Sequence, residues 1–456
     1  MITELSASNF MSWKNLKKLT FGKITGIFGA NSSGKTGIIN LILLLKQSIE
    51  SPDRKQVLNF GTEKDYIQLG SFYDIVHNHD VEANLDISIS FSNNSTLKIS
   101  DPEQRQVLLY EGNNLGFSTS ILQTKANRIF VNNIAYSFSN TKFHMKKQKK
   151  EKYEYALSTT SDKKRKNTFI RTMGRGWPLP EPIKFYGFPD QVRTYYQNAG
   201  FLFDLQLYLE TNFSNIYYLG PLRDYPQKEY KWSGTQPNDV GRKGEGYVDA
   251  LLASRERSEK ILLKRGSKKL TLEEYVAWWL KEIKVIDSFS VEHIKEDTNL
   301  YRVKVKQNPN SAPVLITDVG FGVSQILPII TLCYYAPEYS TVIIEQPEIH
   351  LHPLVQSYLA DVFIDAIKKR NIQLIVESHS EHLLRRLQLR IAEENISTDD
   401  VSLYFCSMKD DRSMITKIQM DLFGIIENWP TDFFGNEYKD ISDMNMAIIQ
   451  RKNNGK

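Results

Sequence analysis

The octapeptide GANSSGKT, Gly29 to Thr36, has the residue types needed to hold a nucleoside triphosphate. It fits the spacing G-x-x-x-x-G-K-[ST], in which a glycine-rich turn wraps phosphates so closely that side chains would collide. The backbone N–H groups of Asn31, Ser32, Ser33, Gly34, Lys35 and Thr36 are then free to donate to phosphate oxygens. Lys35 is expected to neutralise the β- and γ-phosphates and the Thr36 hydroxyl to ligate Mg2+, so ATP and Mg2+ are the expected cofactors.

A magnesium–nucleotide site also needs a carboxylate at the end of a neighbouring strand. The segment STVIIEQPEIHLHP, Ser340 to Pro353, ends an apolar β-branched run at Glu345, which is expected to face the metal directly or through water. Glu348, three residues on, is placed to orient the attacking water; the competing reading is that both acids cap the following helix. The run QLIVESHS, Gln373 to Ser380, brings His379 to the end of another strand, where an imidazole can sense or polarise the γ-phosphate or simply be structural. In DVGFGVSQILP, Asp318 to Pro328, a glycine-rich turn opens a helix and resembles a second anion site. One chain already holds its triphosphate at Gly29 to Thr36, so Gly320, Phe321, Gly322 and Ser324 are expected to reach a nucleotide held by another copy of the chain.

The elements that must position these residues follow from hydrophobic periodicity. Residues 2–11 and 19–28 alternate as strands, the second running into the phosphate turn and then an apolar helix from Gly37 to Leu45. Residues 83–100 and 106–136 alternate with Asn, Ser and Gly breaks, which predicts antiparallel hairpins. Residues 198–213 and 245–285 have helical spacing, and 289–307 and 313–317 again read as strands. From Val323 the order is helix, strand, helix (354–369), strand (373–377), helix (381–394), an alternation that predicts a parallel sheet. No heptad run is long enough for a coiled coil. The boundaries drawn from this are an N-terminal ATPase lobe over 1–140, a basic insertion over 141–175, a helical linker over 176–288 and a C-terminal lobe over 289–456.

Composition narrows the setting. The chain has 456 residues, 41% hydrophobic and 24% charged, with no apolar run of spanning length and no signal-peptide pattern, so a soluble intracellular protein without a membrane partner is expected. Cys333 and Cys406 lie in apolar segments and read as core residues. The net charge of +5 says little, but between Lys142 and Lys166 ten basic residues face three acidic ones. That stretch is either a solvated insertion or a contact for nucleic acid or an acidic partner, with Lys146, Lys147, Lys163 and Lys164 the test positions.

Taken together, GANSSGKT, GFGVSQ, IIEQPEIHLHP and ESHSEH resemble the ATPase heads of the ABC superfamily, in the branch containing RecF, SMC and OLD proteins. The resemblance implies an α/β, ABC-type P-loop head with a parallel core sheet, an antiparallel β subdomain and a nucleotide-dependent homodimer. In it the signature residues Gly320, Phe321, Gly322 and Ser324 act in trans, His350 to Pro353 takes the D-loop position, and His379 is the H-switch. It also makes Gln68, in IQLGSFYDIVHNHD, the Q-loop metal contact. Further likeness, in YLGPLRDYP, DVGRKGEG and GIIENWPTDFF, is to standalone ATPases of bacterial antiphage systems such as PARIS and Septu. This implies a separately encoded effector, a nuclease, and leaves Arg223 and Arg242 as either phosphate contacts or interface residues; a RecF-type DNA clamp is the alternative.

Two departures from the pattern matter. Glu345-Gln346 stands where such heads carry Asp-Glu, so the usual catalytic base is an amide that takes no proton at neutral pH, and slow turnover with Glu348 as base is expected. No Asp-x-Asp cluster of a Toprim nuclease follows, so no nuclease activity is expected.

Overall fold

The computed structural model describes residues 1–100, 108–148, 155–161, 169–173, 177–263, 268–295, 298–430 and 437–453. Ile2–Phe10 (β1) and Trp13–Thr20 (β2) pair antiparallel, and Ile24–Gly29 (β3), buried along its length, is a separate strand. The sequence pattern predicts one strand over 19–28. The chain instead breaks at 21–23, where a Cβ on Gly22 would sit 2.6 Å from the carbonyl oxygen of Asp400.

The expected hairpins form. Leu85–Ser100 (β4), Leu108–Gln123 (β5), Ile129–Phe138 (β6), Thr141–Lys147 (β7) and Tyr155–Ser161 (β8) extend the first hairpin into a seven-stranded antiparallel sheet, β2-β1-β4-β5-β6-β7-β8. Part of the basic stretch is therefore ordinary sheet. In β7, Thr141, Phe143 and Met145 are buried while Lys142 and Lys146 are exposed, the period-2 pattern of a strand with one wet face. Lys163 to Lys166 lie outside the described residues.

The parallel sheet predicted from the alternating elements is built by Ile216–Leu219 (β9), β3, Thr341–Glu345 (β16), Gln373–Glu377 (β17) and Val401–Lys409 (β18), with Arg412–Ile418 (β19) antiparallel at one edge. Its order is β19-β18-β3-β17-β16-β9. Between β9 and β16 lie Tyr230–Lys231 (β10), Ser288–His293 (β13), Leu300–Lys306 (β14) and Val314–Leu315 (β15), which form a small sheet, and the hairpin Lys260–Leu262 (β11) with Lys269–Thr271 (β12).

Side chains alternate across each central strand and so give the sheet two different faces. Val342, Ile344, Leu374, Val376, Ile24 and Phe28 pack into one core with helices Tyr247–Glu256 (α5), Leu272–Glu282 (α6), Phe321–Tyr335 (α7), Pro353–Arg370 (α8) and Glu381–Ala392 (α9). Ile343, Ile375, Ile27, Tyr404 and Cys406 point the other way. They pack with helix Lys35–Glu50 (α1), the short helices Phe72–Ile75 (α2) and Gln191–Tyr195 (α3), helix Leu202–Ser214 (α4) and the antiparallel sheet. Both cysteines are buried and free, as expected. A last helix, Glu437–Asn453 (α10), is exposed over its described side chains.

One buried side chain ties the two sheets together. At the start of β17 the Gln373 amide donates to the carbonyls of Ile2 (2.7 Å) and Gly22 (3.0 Å), and its oxygen accepts from Ile2 N (2.8 Å) and Thr341 Oγ1 (2.9 Å). A buried amide with all these partners is a specific clamp, because each partner stranded without it carries its own desolvation cost. Replacing it should be expensive. Gln373→Leu is expected to cost on the order of 3 kcal/mol, read as a lowered urea midpoint with the slope unchanged.

Candidate functional site

The phosphate turn sits between β3 and α1, and its glycines are fixed by contact and by backbone conformation. Gly29 has φ 144 and a Cβ there would lie 2.2 Å from the carbonyl oxygen of Cys406; Gly34 has φ 95 and a Cβ would lie 2.2 Å from Ser413 Oγ. Both positions therefore exclude side chains. Gly34 caps α1 without a side-chain hydrogen bond, which leaves the first N–H groups of that helix available to an anion. Ser33 Oγ is buried without a partner, and Asn31 and Ser32 are exposed. The orphaned hydroxyl and uncapped helix end fit a bound phosphate group.

Lys35 is 4% exposed and donates to the carbonyls of Gly29 (3.1 Å) and Ala30 (2.7 Å). Burial pushes its ammonium pKa below the usual lysine range, while the charges of Glu377, Cys406 and Glu348 resist that shift. Thr36 is exposed and donates to both carboxylate oxygens of Glu377, at 3.3 and 3.2 Å.

Two buried acids, Glu377 and Glu348, act on this lysine, and a third, Glu345, stands beside Glu377. Glu345 and Glu377 end adjacent parallel strands in register, on the face of the sheet shared with α1. Glu345 Oε1 accepts from the Tyr218 hydroxyl at 2.8 Å; burial and the Glu377 charge push its carboxyl up to about 7, against Tyr218 and Arg223. Glu377 is raised by burial, opposed by Lys35, by the Thr36 hydroxyl and by a side-chain hydrogen bond from Gln346. Glu348 accepts from Ser378 Oγ (2.9 Å) and from the backbone N–H of His379, and burial raises it too. His379 is half-buried, and burial followed by the Lys35 charge lowers its imidazole pKa.

The loop after β16 is held from below by Arg223. Its guanidinium donates to the carbonyls of Glu345 (2.8 Å), Gln346 (2.9 Å) and Pro221 (3.0 Å), and burial lowers its pKa to about 10. Arg223 thus supports the carboxylate loop through its backbone. Arg242 donates to the carbonyls of Glu63 and Asp65, fixing the loop ahead of α2. Gln68 in that loop is exposed, and among the described residues no hydrogen bond joins it to Thr36 or Glu345.

The signature residues lie elsewhere. Gly320 caps α7, a helix of the core on the other face of the central sheet, and a Cβ on it would meet nothing within 4 Å. Ser324 Oγ donates to the Phe321 carbonyl at 2.7 Å, and Phe321 packs edge-on to His350 and tilted against Tyr225. The structure therefore gathers Lys35, Thr36, Glu345, Glu348, Gln346 and His379 at one end of the sheet. It groups Gly320, Phe321, Gly322 and Ser324 with His350, expected from the resemblance to stand at the D-loop position, and a Cβ on Gly322 would lie 3.1 Å from the His350 carbonyl oxygen.

Sequence reasoning missed Glu377. The signal was present: Glu345 and Glu377 each close a five-residue apolar strand with the same alternation, so both carboxylates face α1.

Among the described residues no group of three or more His, Cys, Asp and Glu side chains forms a metal cage. Mg2+ keeps several waters and takes one or two carboxylates beside substrate phosphates. Thr36 and the neighbouring carboxylates would hold it, and bound Mg2+ would supply charge neutralisation at the β- and γ-phosphate oxygens.

The raised acids give a pH signature in protein free of nucleotide and metal. The Glu345 carboxyl rises from 4.5 to about 7, so between those values the folded chain binds more proton than the unfolded one and stability falls as pH rises. The loss attributable to Glu345 is about 3 kcal/mol between pH 4.5 and 8. Urea midpoints across that range should show the decline, and Glu345→Gln should remove its share while leaving that of Glu348 and Glu377.

Comparison with known proteins gives a family and a set of distant structural likenesses. No curated protein matches. Among solved structures, the SMC head domain from Thermotoga maritima is 11% identical with a TM-score of 0.39, covering 92% of this chain and 99% of that one. The Smc head bound to the C-winged helix domain of ScpA is 13% identical with a TM-score of 0.43, covering 91% and 98%. The Smc head with an extended coiled coil, bound to the C-terminal domain of ScpA derived from Pyrococcus furiosus, is 13% identical with a TM-score of 0.41, covering 91% and 96%. Residues 396–444 match a family described only as a protein of unknown function. Residues 1–384 match the model described as the AAA ATPase domain, and the chain belongs to that family.

Proposed function

We propose that the chain is a slow ATP switch, in which two copies close over nucleotide and pass that state to a separate effector. The observation that carries this reading is the division of labour across the central sheet. Lys35, Thr36 and the buried acids occupy one side, while Gly320 and its helix belong to the opposite core. An exposed glycine at a helix start, with no atom of the described residues within 4 Å of where a Cβ would stand, suits a phosphate held by a second copy.

Slow chemistry follows from the residues beside the metal position. Gln346 has its side chain committed to Glu377 and cannot take a proton from water. Glu348 is the base in this reading, oriented by Ser378 and by the His379 N–H, with His379 positioned at the γ-phosphate. An effector is supported by the exposed apolar residues Leu422, Phe423 and Ile425 in the C-terminal segment, a surface of a kind that marks protein contacts. A nuclease is the effector class implied by the family resemblance, and nucleic acid held by Lys142 and Lys146 on the wet face of β7 is the alternative. No nuclease activity of the chain itself is proposed.

Two experiments test the switch. Lys35→Met should abolish ATP binding, whereas Glu348→Gln should retain binding and lose roughly a hundredfold in turnover; normal turnover in Glu348→Gln would remove it as the base. Shared sites are tested by mixing. Gly320→Glu adds charge where no intrachain clash arises, so alone it should fold and bind ATP yet not hydrolyse it. Mixed in equal amounts with Lys35→Met, it should recover roughly a quarter of wild-type turnover, because half the dimers carry one intact composite site. No recovery, with both variants folded, rejects the trans arrangement.

A further inference from the structure

We infer that Glu377, rather than Glu345, is the carboxylate that shares the magnesium of a bound nucleotide with Thr36. The inference rests on the nucleotide reading above and deepens it. In the sheet, β17 lies between β3 and β16, so Glu377 stands one strand nearer the phosphate turn than Glu345. That is about 4.8 Å across the sheet, the spacing of neighbouring strands. Thr36 already reaches it: the hydroxyl lies 3.2 and 3.3 Å from the two Glu377 oxygens.

Glu345 is otherwise engaged. Its Oε1 accepts from Tyr218 at 2.8 Å and its own carbonyl is held by Arg223, while among the described residues the Thr36 hydroxyl is hydrogen-bonded to Glu377 and not to Glu345. Its role is that of a positioning residue, held in register beside Glu377.

Charge balance points the same way. Lys35 is the cation acting on Glu377, and Thr36 and Gln346 hydrogen-bond to its carboxyl group. A triphosphate draws Lys35 to itself, which leaves Glu377 facing added negative charge. A hard divalent cation arriving with the nucleotide restores the balance, using the exposed Thr36 oxygen and one carboxylate oxygen among its ligands. Metal and nucleotide binding are then coupled through a single side chain.

The test measures binding and requires no turnover. ATP affinity is determined in EDTA and with Mn2+, and Mn2+ ligation is followed by its electron paramagnetic resonance, for the wild-type chain, Glu377→Gln, Glu377→Asp and Glu345→Gln. Mn2+ should tighten ATP roughly tenfold or more in the wild type. Glu377→Gln should erase that increment while binding ATP in EDTA as well as or better than wild type, since a negative charge near the phosphates has gone. Glu377→Asp should restore part of the increment, and Glu345→Gln should keep most of it. Retention of the increment in Glu377→Gln, or its loss in Glu345→Gln, overturns the inference. So does loss of ATP binding in EDTA by Glu377→Gln, which would make the side chain a support of the loop. A wild-type chain that binds ATP under neither condition instead rejects the nucleotide reading itself.

Discussion

The structure depends on the alternation of side chains across a sheet whose central strands are buried on both sides. Because neighbouring parallel strands run in register, one choice of phase fixes every face at once: Ile343, Ile375 and Ile27 on one side, Val342, Leu374 and Ile24 on the other. A one-residue slip in β17 would send Glu377 into the apolar core of α7 to α9 and bring Val376 to the phosphate turn. The chemistry of the site is thus set by strand register before any loop is considered.

That constraint also explains why the acids are strained electrostatically. Glu345, Glu348 and Glu377 are all raised by burial, and the compensating cations are the buried Lys35 and Arg223. A cluster with more acids than bases, kept out of water, costs stability and gains from any cation that enters it. This is the thermodynamic cost of a site built for a charged ligand, and it is offset by the two large apolar cores that flank the sheet.

Much of this could be read in the sequence because it depends on local pattern. The P-loop, the strands at 341–345 and 373–377, the helices that follow them and the buried cysteines are all dictated by short-range periodicity. The break at Gly22 was not legible, since the backbone that approaches it closely there belongs to Asp400. Nor was the role of Arg223, two of whose three partners are backbone carbonyls more than a hundred residues away that carry no sequence signal. The strands β7 and β8 were obscured for a different reason: the lysines of that stretch dominate its composition, while the alternation of Thr141, Phe143 and Met145 between them carries the fold.

The Gln373 clamp has a consequence for how the chain is made. The antiparallel sheet is synthesised early, yet the amide that anchors its first strand is 371 residues from Ile2. At about 5–20 residues per second the ribosome needs roughly 20–70 seconds to bridge that gap. Throughout that interval β3 lacks the strands β17 and β18 that flank it, and α1 lacks the floor it packs on. The nascent N-terminal half therefore carries the apolar faces of β3 and α1 without their native partners until those strands emerge, the condition in which aggregation competes with folding.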